Sequence, residues 1–209
     1  MARNTGPKCR LCRREGLKLF LKGTRCDTAR CAIERREYPP GMHSWPKRSK
    51  VTAYGLQLRE KQKVKRYYGL LETPFRMVFH RAERQKGNTG DNLLVALESR
   101  FDNIAVALGF ARSHSDARQV IRHGHLLVNG RRVTVAAQPL KAGDQITPAN
   151  RDKSKALIAA NLEIAKGRQV PTWLEVSLEP PLGNVLRTPT REDISLPVQE
   201  QLIVELLSK

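Results

Sequence analysis

The feature that most limits how this chain can fold is the placement of its cysteines. There are four, Cys9, Cys12, Cys26 and Cys31, in the pattern Cys-x2-Cys, thirteen residues, Cys-x4-Cys. The segment around them is short and dense in charge, so it cannot bury a core of its own and needs a cross-link. Two close pairs joined by a short loop can place four thiolates at the corners of a tetrahedron, which suits a closed structural zinc site. Arg10, Arg13, Arg14, Arg25 and Arg30 lie among the cysteines. They are expected to lower the thiol pKa values and to offset the charge of four thiolates. An iron–sulfur cluster uses the same ligands; two disulfides or four free thiols are the metal-free alternatives. A catalytic metal is not expected, because four protein ligands leave no open position.

Charge sets the kind of partner. The 209 residues carry 38 Lys and Arg against 20 Asp and Glu, a net charge of +18. Such an excess argues against an ordinary small-molecule enzyme and for a polyanion, nucleic acid before anionic membrane. The excess is graded: net +10 over residues 1–50, +5 over 51–100, +3 over 101–150 and zero over 151–209. A charge that served solubility alone would be spread evenly, so the gradient points to one polyanion-facing end. No run of 18 apolar residues is present, and no membrane span is expected. The opening MARNTGPKCR has no apolar core of a secretory signal, so a reducing cytosol is expected, which disfavours disulfides. His43 follows the turn-forming Pro39-Pro40-Gly41 and is read as structural or nucleic-acid-facing rather than as a metal ligand.

Periodicity organises the rest. Residues 51–69 predict a basic helix with Tyr54, Leu58, Val64 and Tyr68 as its apolar face and Gly69 as its stop. Its like-charge i,i+4 pairs, Arg59 with Lys63 and Lys61 with Lys65, cost helix stability unless an anion lies alongside. A second helix is expected over about 75–85, with Pro74 in its first turn. Residues 91–108 carry Leu93, Leu94, Leu97, Phe101, Ile104 and Leu108 at helical spacing and predict one amphipathic helix. Ser113 and Asp116 suggest a capping box opening a short helix that Gly124 ends. Asn129-Gly130, between the apolar runs Leu126-Leu127-Val128 and Val133-Thr134-Val135, is a two-residue hairpin signal. Arg112, Arg118, Arg122, His123, His125, Arg131 and Arg132 crowd onto this helix–hairpin unit, which suits phosphates and the shallow groove of A-form RNA. Asp91, Asp102, Asp116 and Asp144 are read as caps and turns. A strand at Gln145-Ile146, a helix over 153–166, a strand over 173–178, a loop-rich stretch through Pro180 to Pro189 and a helix over 198–207 complete the chain.

The stretches GPKCRLCRREGLKLFLKG, ERREYPPGMH, LREKQKVKRYYG, ESRFDNIAVALGF, DARQVIRHGHLLVNGRRV and REDISLPVQEQL together resemble the bacterial small-subunit ribosomal protein S-four family, nearly end to end. The helix–hairpin unit resembles the RNA-binding module named after that family, which pseudouridine synthases and tyrosyl-tRNA synthetases also carry. The resemblance implies an α+β protein in three parts: a zinc-bearing segment at 1–45, a helical domain at 46–97 joined by 198–209, and an RNA-binding domain at 98–197 with the module at about 98–161. It implies a primary binder of small-subunit ribosomal RNA in the cytoplasm that nucleates assembly of the 5′ domain. Such a protein would lie beside neighbouring small-subunit proteins and close to the messenger path, where it affects decoding accuracy, with no membrane partner. Cys9, Cys12, Cys26 and Cys31 match the zinc-bearing version of the family. RNA contacts are expected from Arg13, Arg14, Lys22, Arg35, Arg36, Lys47, Arg48, Lys50, Arg59, Lys61, Lys63 and Arg66. In the module they are expected from Arg112, Arg118, Gln119, Arg122, His123, Asn129 and Arg131. Two positions depart from the family pattern, His114 where Arg is usual and Glu37 where Pro is usual; a weakened phosphate contact is the expected consequence.

An RNA-modifying enzyme would need a second, catalytic domain, and no nucleophile elbow, P-loop, dinucleotide fingerprint or zinc-protease motif is present. A zinc-finger DNA regulator would need a recognition helix beside the metal, where this chain has Tyr38-Pro39-Pro40-Gly41. No catalytic residue is expected.

Overall fold

A computed structural model of the protein describes residues 4–42 and 52–208. His43, Lys47, Arg48 and Lys50 lie outside the described residues. The chain divides into two compact units, one of residues 1–93 with 196–209, the other of residues 94–195.

The first unit is helical. It opens with α1 (Lys8–Glu15), a 3-10 turn at Gly23–Asp27 and α2 (Ala32–Arg35). Its main helices are α3 (Ala53–Tyr67) and α4 (Glu72–Glu83). Thr52 caps α3, its hydroxyl accepting from the Gly55 amide at 3.1 Å. Val64, Tyr68, Phe75, Phe79 and Ala82 are buried. Tyr54, expected on the apolar face of α3, is exposed. The C-terminal helix α9 (Glu200–Leu207) packs along α3. Ile203 is fully buried, and Gln57 donates to Glu205 at 2.9 Å. Helix α5 (Thr89–Glu98) starts in this unit and ends in the second.

The second unit is a mixed helix and antiparallel-sheet domain with α6 (Phe101–Ala107), α7 (His114–Arg122) and α8 (Asp152–Ala165). Its strands are β1 (Leu126–Val128), β2 (Arg131–Arg132), β3 (Gln145–Pro148), β4 (Leu174–Ser177) and β5 (Leu182–Val185). They form one sheet in the order β2-β1-β3-β5-β4, antiparallel at every pairing. Phe101, Ile104, Phe110, Ile121, Leu126, Ile146, Ile158 and Trp173 make the centre of the core.

Three expectations are corrected. The single helix over 91–108 is two helices, α5 and α6, broken at Ser99-Arg100. The break exists because backbone groups there pair with a distant segment: Phe101 N donates to Gln138 O and Asp102 N to Ala136 O, while Ser99 O accepts from Leu140 N. The second hairpin strand is Arg131–Arg132 rather than Val133–Val135, because only that register closes a two-residue turn on β1. The stretch read as loop contains β5, which bridges β3 and β4.

Gly183 in β5 shows why that strand is hard to read. It is buried, and a β-carbon there would lie 2.5 Å from Leu108 Cδ1. A glycine required for close packing breaks the alternation that marks a strand. Gly183→Ala should destabilise the protein by about 1–3 kcal/mol through overpacking, while Gly167→Ala, where nothing lies within 4 Å, should stay within about 0.5 kcal/mol. Urea unfolding of the two variants side by side checks this.

Candidate nucleic-acid interface

The site is built on α7 and the hairpin. Ser113 caps α7, its Oγ accepting from the Asp116 amide at 3.4 Å. The reciprocal half of the expected capping box is absent: the Asp116 carboxylate accepts from the backbone and side chain of Arg112, both at 3.1 Å. Gly124 ends the helix at φ 72, and Asn129 and Gly130 follow at φ 50 and 74, the left-handed pair of a type I′ turn. Asn129 is committed to this turn. Its Nδ2 donates to Asp144 Oδ1 at 2.8 Å and its Oδ1 accepts from the Gln145 amide at 2.9 Å.

Beneath the module lies a buried charge cluster. Asp102 accepts from Arg100 Nε at 3.0 Å and Nη2 at 2.8 Å, and from Arg118 Nε at 2.7 Å. The Asp102 side chain is 1% exposed. Burial alone would raise its pKa, but the two arginines hold it below the ordinary value. Asp102 is thus the hub of the domain rather than only a cap. Arg118, expected among the RNA contacts of the module, points into the cluster. His114 is also internal. It is buried, and its Nε2 donates to Asn103 Oδ1 at 2.9 Å. The side chain at this position, expected to bear on a phosphate contact, is therefore part of the core.

The exposed face that remains carries Gln119, Arg122, His123, Arg131 and Arg132. Arg132 lies across Gly124 and donates to His123 O at 3.4 Å. His125 is half-buried behind them, with Nδ1 2.9 Å from Ser154 Oγ. Burial, then His123, Arg151 and Arg132, push its pKa down. Arg151, which precedes α8, is a neighbour that local pattern reading missed; it is 26 residues from His125, and only the packing of α8 brings it close.

In the helical unit the anion that the like-charged α3 requires is supplied by the chain itself. Arg59 reaches Glu15 at 3.2 Å, and Arg66 pairs with the same carboxylate. Lys61 and Lys65 hold Glu72 at 2.6 and 2.8 Å, and Lys63 holds Glu60 at 2.5 Å. The two lysines drag the Glu72 carboxyl down to about 2 against a partial burial that would raise it. The Glu15 side chain is 1% exposed, and burial pushes its carboxyl up despite Arg66 and Arg59. Arg13 clamps the N-terminal segment: it stacks on Tyr38 at 4.8 Å and donates to Tyr38 O at 3.0 Å. Arg14, Lys22, Arg35 and Arg36 are exposed, and among the described residues they enter no salt bridge.

The four cysteines are unpaired and line one small cavity with Lys8, Lys22 and Arg25. Four thiols around one cavity are the donor type that a structural zinc ion takes. As the side chains stand, no group of three or more His, Cys, Asp or Glu among the described residues is arranged to hold a metal. The expected lowering of the thiol pKa values by nearby arginines is corrected for two of them. Burial, reinforced by the neighbouring cysteines, pushes Cys12 and Cys26 up. Cys12, Cys26 and Cys31 are buried and Cys9 is half-buried, so thiolates here would repel one another if ionised together.

A mixed helix–sheet domain with a cationic helix–hairpin face, joined to a basic helical unit, defines an RNA-binding protein of the ribosomal type. Residues 3–98 match the model for the ribosomal protein S4/S9 N-terminal domain, and residues 99–146 match the S4 domain. Small ribosomal subunit protein uS4 of Geotalea uraniireducens is 56% identical over 209 residues, covering all of both chains. Those of Trichlorobacter lovleyi and Acetivibrio thermocellus are 55% and 54% identical over the same full span. The chain belongs to the small ribosomal subunit protein uS4 family.

Proposed function

We infer that this chain works as its family does, as a structural, non-enzymatic constituent of the small ribosomal subunit that binds ribosomal RNA. The observation that carries the reading is the separation of its cations into two sets. Arg59, Lys61, Lys63, Lys65, Arg66, Arg100 and Arg118 are neutralised by the chain's own carboxylates. Arg122, His123, Arg131 and Arg132 on the module, with Arg14, Lys22, Arg35 and Arg36 on the N-terminal segment, stand exposed on an ordered scaffold. Preplaced cations that form no salt bridge among the described residues favour a compact RNA junction, because they bind where phosphates converge without first breaking an ion pair.

The reading extends to three finer points. The RNA partner is the 5′ domain of small-subunit ribosomal RNA, whose folding the chain nucleates. Neighbouring small-subunit proteins complete its surroundings, in the cytoplasm and close to where messenger RNA enters, and through that position it affects decoding accuracy. Cys9, Cys12, Cys26 and Cys31 hold one zinc ion, with an iron–sulfur cluster as the lesser alternative. The ion would supply a cross-link that ties α1 to the turn preceding α2; the arginines around it would hold the segment's charge in balance.

Binding of a 5′-domain transcript in the presence of excess transfer RNA tests the reading. Tight binding with a log–log salt slope of about −5, from six or seven phosphate contacts, is the expected result. Equal affinity for transfer RNA would overturn it.

A further inference from the structure

Four cationic or protonatable side chains from separate elements converge at one end of the helix–hairpin unit. His123 caps α7, His125 precedes β1, Arg132 lies on β2, and Arg151 precedes α8. The two imidazole centroids are 6.0 Å apart. Arg132 holds the His123 carbonyl at 3.4 Å, and Gly124 leaves the room for its guanidinium to lie across the backbone. Ser154, 1% exposed, fixes His125 by the 2.9 Å contact to Nδ1.

The neighbours that bear on His125 all disfavour its charged form: His123 from α7, Arg151 ahead of α8 and Arg132 from β2. Asp152, beside Arg151 in the chain, is exposed, and among the described residues it enters no salt bridge with them. Elsewhere in this domain, clustered arginines are matched by carboxylates, as Arg100 and Arg118 are by Asp102. Here two arginines and two histidines share a corner with no salt bridge to a carboxylate among the described residues. That is the charge pattern of a site completed by a ligand's negative charge.

We propose that His123, His125, Arg132 and Arg151 form a cradle for one backbone phosphate of the bound RNA, and that His125 takes up a proton as the phosphate enters. This rests on the RNA-binding reading above and adds a place and a proton to it. The physical cause is simple. In the free protein, burial and the neighbouring His123, Arg151 and Arg132 disfavour the imidazolium; a phosphodiester beside them reverses that balance. A group protonated more readily in the complex than in the free protein strengthens binding as pH falls and loses its contribution as pH rises through its value in the complex.

The test uses the full chain and a labelled 5′-domain transcript at constant ionic strength. Wild type should bind several-fold more tightly at pH 5.8 than at pH 7.8, the direction expected of an imidazole that is protonated more readily in the complex than in the free protein. His125→Gln, which keeps a hydrogen-bonding group for Ser154, should flatten this dependence to within about twofold. Arg151→Gln should weaken binding at both pH values and reduce the salt slope by about one contact. Imidazole carbon resonances of His125, followed by NMR with and without RNA, report the proton directly and do not depend on the affinity of any variant. An unchanged pH dependence in His125→Gln, or a His125 titration unmoved by RNA, overturns the cradle while the RNA-binding reading stands. No binding at either pH overturns both.

Discussion

Asp102→Ala should be the most damaging single substitution in the second unit, costing about 3–5 kcal/mol of unfolding free energy. The carboxylate is 1% exposed, and the Arg100 and Arg118 side chains that surround it are 6% and 19% exposed. Removing it leaves two guanidinium groups facing each other in a site that excludes most water. The loss therefore exceeds that of a surface pair, for which about 0–1 kcal/mol is typical. Urea unfolding with the sheet domain as reporter measures it. The pH dependence gives an independent check. Both arginines hold Asp102 below its ordinary value of 3.8. Its stabilisation is therefore complete above that value and disappears as pH falls through the depressed one. Wild type should lose stability below about pH 4 more steeply than Asp102→Ala, because the variant has no such proton to take up. Equal acid sensitivity in the two would show that the cluster is not the hub described.

Loss of the proposed zinc ion should have the second large effect, confined to the N-terminal segment. With zinc on Cys9, Cys12, Cys26 and Cys31, elemental analysis should return one zinc per chain, and Cys12→Ser should reduce that to less than about a tenth, since structural sites depend on all four ligands. The described segment has few other supports. Its buried apolar cluster is Cys12, Leu19 and Leu21, with Leu11, Leu17, Ile33 and Tyr67 packed against it. So small a core stabilises little alone. In Cys12→Ser, or after strong chelation, amide exchange over residues 8–35 should accelerate by orders of magnitude while β1, β3 and β5 stay protected. Slow exchange persisting in the metal-free segment would mean that α1, the Arg13–Tyr38 clamp and the Glu15 pairs suffice to hold it.

Several features were legible because they depend on neighbours in the chain. Asn129-Gly130 announces a type I′ turn, since two consecutive left-handed residues are needed and few pairs tolerate that; the observed φ values of 50 and 74 agree. The apolar spacing of α7 and α9 and the stop at Gly124 are likewise local. The 91–108 stripe was misleading for an equally local reason. Its apolar residues keep helical phase across Ser99-Arg100, so periodicity cannot register the break that hydrogen bonds to residues 136–140 impose. Strand β5 escaped because Gly183 is there for close packing against Leu108.

The sequence by itself determined the family, the class of partner and the candidate ligand set. It did so through quantities that survive without coordinates: the net charge and its gradient, the cysteine spacing and the order of elements. Only the tertiary structure decided which cations are free. Arg59 meets a carboxylate 44 residues away, and Arg118 meets one 16 residues away. Arg13 turns inward to Tyr38, whereas Arg151 comes to stand with His125. Local charge patterning senses only partners three or four residues apart on a helix. Coulomb energy depends on separation in space and on burial, and both are set by the packing of elements far apart in the chain.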